Sequence, residues 1–195
     1  MRKKAKQMNS FLNNHNVRGL RNNNPGNLIR TNIAWQGKIP HAQNPDAKFE
    51  QFVNLTYGLR AMLKDLINDI SKGKNTVRKL ISEYAPPSEN NTLAYVNSVA
   101  KTLGVSIDEK LTQINGKFLL GLVRAIIMVE LGKAHTQVTD RHILEAIKML
   151  GDVSTANLKV DTDNGFTLID VLKPYLLPTL LTVGLFFYTC VTLTL

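Results

Sequence analysis

The stretch TYGLRAMLKDLINDISKG, residues 56–73, decides the fold class of this 195-residue chain. Apolar side chains recur in it at spacings of three and four residues, which line one face of an α-helix. These side chains are Leu59, Met62, Leu63, Leu66, Ile67 and Ile70. Gly73 is suited to end the helix. The stretch therefore predicts an amphipathic helix that opens near Thr56 and packs on a core.

The same periodicity predicts four further helices after it. Their approximate bounds are residues 76–84, 92–103, 117–130 and 139–150. Thr76 and Thr92 are the expected caps of the first two, because a threonine hydroxyl accepts a hydrogen bond from a free backbone N–H. Residues 19–52 lack the period and are rich in Asn, Gly and Pro, which predicts loops with a short hairpin at most. The fold class is mostly α.

The two ends of the chain differ from this helical part. Residues 1–17 form a basic tail, and residues 151–173 read as a polar linker. The run YLLPTLLTVGLFFYTCVTLTL that follows is uncharged and about as long as the roughly 20 residues that a bilayer-spanning helix needs. We therefore expect a helical domain at residues 18–150 and a C-terminal transmembrane anchor at residues 174–195.

The charge and composition of the chain restrict the kinds of molecule that it is expected to bind. There are 24 Lys and Arg residues against 15 Asp and Glu residues, so a net charge of +9 favours cell-wall polymers, anionic lipid or nucleic acid. The lone Cys190 excludes an intrachain disulfide. The four histidines, His15, His41, His135 and His142, have no spacing typical of metal ligands, and no phosphate-binding loop or dinucleotide motif is found. We therefore expect no metal and no cofactor.

The densest polar motif is RNNNPGN at residues 21–27, followed by Trp35. Side-chain amides beside an aromatic ring suit a sugar, because they offer hydrogen bonds and a flat apolar surface together. The alternative is a structural turn whose amides bond their own backbone.

Several strings together resemble a family of phage virion-associated, lysozyme-like proteins that share the NNPGN signature. They are RGLRNNNPGNLI at 18–29, YGLRAMLKDLI at 57–67, the stretch 75–104 around SEYAPPSENNTLAYV, and LVRAIIMVELG at 122–132. The resemblance implies a lysozyme-superfamily helical fold and a peptidoglycan-directed role in phage entry or release. The implied activity is that of a lytic transglycosylase or muramidase-type glycosidase. Because members are often labelled structural, the alternative is a non-catalytic minor virion protein anchored in the internal membrane.

Glycoside cleavage needs a carboxylic acid in an apolar surround. Residues 1–45 contain none, whereas Glu130 ends an apolar helix and precedes Leu131 and Gly132. This resembles the helix-then-Glu pattern of lysozyme-like enzymes, moved to the back of the domain. We infer a circularly permuted order with Glu130 as catalytic acid. The side chains expected to hold the glycan are Asn23, Asn24, Asn27, Trp35 and Tyr95.

Three other carboxylates have local explanations. Glu89 is expected to cap a helix, Glu50 to face solvent or a sugar hydroxyl, and Asp140 to cap a helix or serve as a second carboxylate. Without a second carboxylate facing Glu130, a lytic transglycosylase mechanism fits better than hydrolysis through a carboxylate nucleophile.

The expected partners follow from these assignments. They are peptidoglycan, a lipid membrane, other virion proteins and, weakly, packaged DNA through the basic residues Arg2, Lys3, Lys4 and Lys6. The expected location is the internal membrane of the virion, and the host cell membrane during assembly.

Overall fold

The computed structural model describes residues 10–86 and 91–151, and the backbone of two short strands after them. Within these residues the fold is mostly helical. The helices are α1 (Arg18–Arg21), α2 (Leu55–Ser71), α3 (Val77–Tyr84), α4 (Thr92–Leu103), α5 (Gly116–Leu131), a 3-10 helix (Gly132–Gln137) and α6 (Asp140–Lys148). The strands are β1 (Val153–Thr155) and β2 (Leu158–Val160).

The predicted apolar face of α2 lies in the core. All six of its periodic side chains are buried, and α2 packs against α3 and α6. Helix α5 packs against α1, α4 and α6, and its Leu119, Leu122 and Ile126 are wholly buried. The mostly α prediction is confirmed, and the core that these helices share holds the carboxyl end of α5 against the loops before α2.

The predicted residue caps the start of α3, whereas the start of α4 is capped by a different residue from the one predicted. Thr76 caps α3 as predicted, by accepting a hydrogen bond from the backbone N–H of Lys79 at 3.2 Å. Thr92 does not cap α4: Asn91 does, through the N–H of Ala94, and Thr92 is the first helical residue. The Thr92 hydroxyl instead donates to the carbonyl of Ala85 at 2.8 Å, which ties the start of α4 to the end of α3.

The segment between α1 and α2 is irregular, as its composition predicts. Isolated antiparallel bridges join Ile29 to Phe49 and Lys38 to Phe52. A continuous hairpin does not form over residues 28–53, because loop residues separate the two bridges. This segment nevertheless packs closely on the helices, since the ring of Phe52 is wholly buried.

Two short strands lie in the first part of the predicted linker. β1 and β2 pair antiparallel, with Val153 opposite Val160, and form a small two-stranded sheet. The predicted basic tail is described only from Ser10 onward, and the predicted anchor at residues 174–195 lies outside the described residues. Among the described helices, none combines the length and hydropathy needed to cross a bilayer.

Gly58, on α2, allows the Asn-rich loop to touch the helix backbone. A Cβ added to Gly58 would lie 1.8 Å from the carbonyl oxygen of Asn23, far closer than two non-bonded atoms can approach. We expect Gly58→Ala to lower the free energy of unfolding by about 1–3 kcal/mol, towards the upper end because the obstacle is backbone. Urea denaturation would measure this loss.

Gly121 on α5 provides the matched control. Its added Cβ would meet only the flexible tip of Leu103, at 3.2 Å, so Gly121→Ala should leave the stability unchanged or raise it through better helix propensity. Equal losses in the two variants would contradict the close approach at Gly58.

Candidate active site

Glu130 lies one residue before the end of α5, where two side chains bind its carboxylate. The Asn27 amide nitrogen donates to one oxygen at 2.8 Å, and the Tyr95 hydroxyl donates to the other at 2.9 Å. Asn27 is 103 residues away in sequence, and Tyr95 is 35 residues away. The fold therefore brings together three residues that sequence analysis had assigned to one site.

Each of these donors is held by a different element. Tyr95 stands on α4, and its side chain is almost wholly buried. Asn27 ends the NNPGN loop in a left-handed conformation, with φ of 50°, and its N–H bonds the carbonyl of Asn24 at 2.9 Å. Glu130 itself is partly exposed, so the carboxyl group can meet both the protein and a ligand.

Two tyrosines, the buried Tyr95 and the partly buried Tyr84, lie near the Glu130 carboxylate. Burial, and then the charge of Glu130, raise the pKa of Tyr84 and of Tyr95 well above the usual range. Both hydroxyls consequently keep their protons at physiological pH and act as donors. Tyr84 donates to the carbonyl of Gly26, in the NNPGN loop.

Asn23 and Asn24 were expected to bind the glycan, but their side chains do not lie at the surface. Both are wholly buried. The Asn23 amide donates to the Phe52 carbonyl and accepts from the Phe11 N–H, at 3.0 and 2.8 Å. The Asn24 amide bonds both backbone groups of Leu28, and the carbonyl of Glu50 as well. We therefore assign these two side chains to the loop framework, in place of glycan binding.

Trp35 is half-buried and packs against the edge of the core in a separate loop. Two residues later, Gly37 lies against the ring of Tyr57 at the start of α2. The loop that carries Trp35 thus reaches the amino end of α2 at Gly37, whereas Asn27, Tyr95 and Glu130 meet at the carboxyl end of α5.

Glu50 is wholly buried, which corrects the expectation that it faces solvent or a sugar. One of its carboxylate oxygens accepts hydrogen bonds from the Lys38 ammonium and the Thr31 N–H, both at 2.7 Å. His41 lies 3.1 Å from the other oxygen. A buried carboxylate with these partners holds the surrounding loop together and cannot touch a polymeric substrate.

Asp140 and Asp65 lie on other helices than Glu130, and Glu89 lies outside the described residues. Asp140 is about half-exposed and pairs with Arg124 at the start of α6. Burial, and then the charge of Asp69, raise the pKa of Asp65 on α2. Glu89 falls in the stretch 87–90, outside the described residues.

The apolar surround of Glu130 differs from the one inferred from its neighbours in sequence. Met128 and Val129 are each 41% exposed, while Ile126 and Ile127 are buried in the core. The buried groups beside the carboxylate come instead from α4 and the loops. Among the described residues, no group of three or more His, Cys, Asp and Glu side chains is arranged to hold a metal ion.

Comparison with known proteins gives one informative similarity. No protein-family model matches the chain. Over 123 residues the chain is 33% identical to Protein P5 of Pseudoalteromonas phage PM2, an alignment that covers 61% of this chain and 74% of that protein. The similarity extends over most of the phage protein, so this chain belongs to the family of Protein P5 of Pseudoalteromonas phage PM2.

Proposed function

We propose that this chain is a phage virion-associated protein that cleaves the glycan strand of peptidoglycan, with Glu130 as the proton donor. The observation that carries the proposal is the pair of hydrogen bonds on Glu130, one from Asn27 and one from Tyr95. Each carboxyl oxygen has a second lone pair, and the side chain is partly exposed. A ligand can therefore reach the carboxyl group without displacing either donor.

The two donors suit the charge change that proton transfer causes. A glycosidic bond breaks as the acid gives its proton to the glycosidic oxygen and the bond from that oxygen to the anomeric carbon opens. Negative charge then develops on Glu130. Donors fixed in advance on both oxygens stabilise that charge in the transition state without having to reorganise. In this proposal Asn27 and Tyr95 support the acid, and Trp35 contacts the glycan farther along the surface.

Two of the other carboxylates are already engaged by cations, which favours a lytic transglycosylase. Asp140 is engaged by Arg124, and Glu50 is buried with Lys38. The attacking group in the proposed reaction is a hydroxyl of the sugar itself, which closes a ring on the anomeric carbon. Glu130, ionised after the first transfer, takes up the proton of that hydroxyl. The reaction therefore consumes no water and needs no second carboxylate.

A clearing assay tests the proposal. Purified peptidoglycan sacculi should lose turbidity when the full-length protein, kept in mild detergent, is added. Sacculi that stay intact while the folded protein binds them would favour the rival proposal of a non-catalytic minor structural protein of the virion.

The location is also a proposal, supported by the relationship to a phage protein and by the apolar run at residues 174–195. We propose that this run anchors the protein in the internal membrane of the virion, and in the host cell membrane during assembly. Full-length protein should partition into a detergent phase, whereas a chain truncated after Asp163 should stay in the aqueous phase. Full-length protein that is monodisperse without detergent would contradict the anchor.

A further inference from the structure

We infer that Tyr84 is a positioning residue for Glu130, and that it acts through Gly26 and Asn27. The inference rests on the proposed function, since it concerns the same carboxylate. Tyr84 is the last residue of α3. Its hydroxyl bonds the NNPGN loop, 58 residues away in sequence.

The two donors to Glu130 differ in how firmly their own elements hold them. Tyr95 is fixed by α4, a helix packed on both α3 and α5. Asn27 lies in a loop, in the left-handed conformation that few residues other than glycine adopt. Its amide oxygen is buried without a hydrogen-bond partner among the described residues, so the amide is held only by its nitrogen. The place of the Asn27 amide therefore depends on the backbone that precedes it.

Tyr84 fixes that backbone at the residue before Asn27. Its hydroxyl donates to the carbonyl of Gly26, and the partly buried ring packs against the core. A Cβ added to Gly26 would lie 2.3 Å from the Tyr84 hydroxyl and 2.8 Å from the sulfur of Met62. The absence of a side chain at position 26 is thus what allows Tyr84 and α2 to close on the turn.

The connection from Tyr84 through Gly26 to Asn27 is also fixed at the Tyr84 end. Ala85, next to Tyr84, accepts the hydrogen bond from Thr92 that joins α3 to the start of α4. Since α4 carries Tyr95, one junction sets the position of both donors: Tyr95 directly through its helix, and Asn27 through Tyr84 and Gly26. Loss of the Tyr84 hydroxyl should therefore release Asn27 and leave Tyr95 in place.

The test is Tyr84→Phe, alone and combined with Asn27→Ala, in the full-length protein. We expect Tyr84→Phe to lower kcat for sacculus cleavage roughly tenfold and to leave KM nearly unchanged, because only support for the transition state is lost. In the Asn27→Ala background the same change should have no further effect on kcat. Tyr57→Phe, which alters a tyrosine at the start of α2 that lies against Gly37, is the matched control and should retain wild-type kcat.

A second readout does not require activity. With ¹⁵N-labelled asparagine, the side-chain amide resonance of Asn27 should shift in Tyr84→Phe and stay in place in Tyr57→Phe. An unchanged resonance, or a tenfold loss that persists in the Asn27→Ala background, would overturn the positioning role. If wild-type protein cleaves nothing, the proposed function fails, and the resonance alone decides whether Tyr84 positions Asn27.

Discussion

Replacing Glu130 by Gln should reduce the cleavage of purified peptidoglycan by about a hundredfold to ten-thousandfold, the range that a positioned proton donor contributes. The amide has nearly the same size as the acid but no transferable proton. Release of soluble fragments from labelled sacculi, measured as an initial rate, would quantify the loss. Glu145→Gln, which alters a partly exposed glutamate paired with Arg141 on α6, is the matched control and should keep the wild-type rate.

Folding should survive the change at Glu130. The carbonyl oxygen of the introduced amide can still accept from Tyr95, and the Asn27 amide can turn over so that its unpartnered oxygen accepts from the new NH₂ group. We expect a loss of about 1 kcal/mol or less in the free energy of unfolding. A Glu130→Gln protein that is folded and cleaves at the wild-type rate would show that the acid is another residue.

Glu50→Gln should have the largest effect on stability, about 3–5 kcal/mol, because it removes one partner of a buried ion pair and leaves the other. The side chain of Glu50 is wholly buried and that of Lys38 is 13% exposed, so water cannot replace the lost charge. Denaturant unfolding at constant pH would measure the difference. In contrast to Glu130→Gln, the fraction that remains folded should still cleave sacculi.

A double variant separates the charge from the packing. Glu50→Leu combined with Lys38→Met removes both ions together, and replacing a buried pair by apolar groups often costs little. The double variant should therefore be more stable than Glu50→Gln alone. A loss below about 1 kcal/mol in Glu50→Gln would mean that the pair contributes as little as a surface ion pair.

The helices could be predicted because their signal is local. Six apolar residues at helical spacing were sufficient for α2, and Thr76 was recognised as the cap of α3. Asn91 caps α4 in place of Thr92 for a physical reason that the spacing of residues in the sequence does not show. The Thr92 hydroxyl has a better-placed acceptor at Ala85, and the neighbouring asparagine then takes the capping position.

For the Asn-rich loop, the sequence does not show which asparagine amides are buried and which can reach a ligand. An asparagine amide can bond a ligand or satisfy its own backbone, and the two uses differ only in burial. Asn23 and Asn24 are inside, whereas Asn27 ends the loop beside Glu130. Nothing local distinguishes the three residues, because the difference arises where the loop closes on Gly58 of α2.

Tyr84 and Glu50 were missed for related reasons. A tyrosine on an apolar helix face has a hydroxyl that needs a partner when buried, and that requirement was the available signal. The partner itself, Gly26, could not be found without the fold. Glu50 stands two residues before Phe52, so in an extended segment both side chains lie on the same face, and that spacing was the available signal of burial. Its partner Lys38 could not be identified without the fold.

We propose that the Glu130 carboxyl group transfers a proton to a glycosidic oxygen. Mass analysis of the fragments released from purified sacculi tests it most directly, with wild-type and Glu130→Gln proteins compared side by side. We predict that wild-type protein releases muropeptides lighter by one water than hydrolytic products, since the ring closes on the sugar's own hydroxyl, and that Glu130→Gln releases almost none. Equal amounts of the same fragments from both proteins, or no fragments from the folded wild type, would contradict the claim.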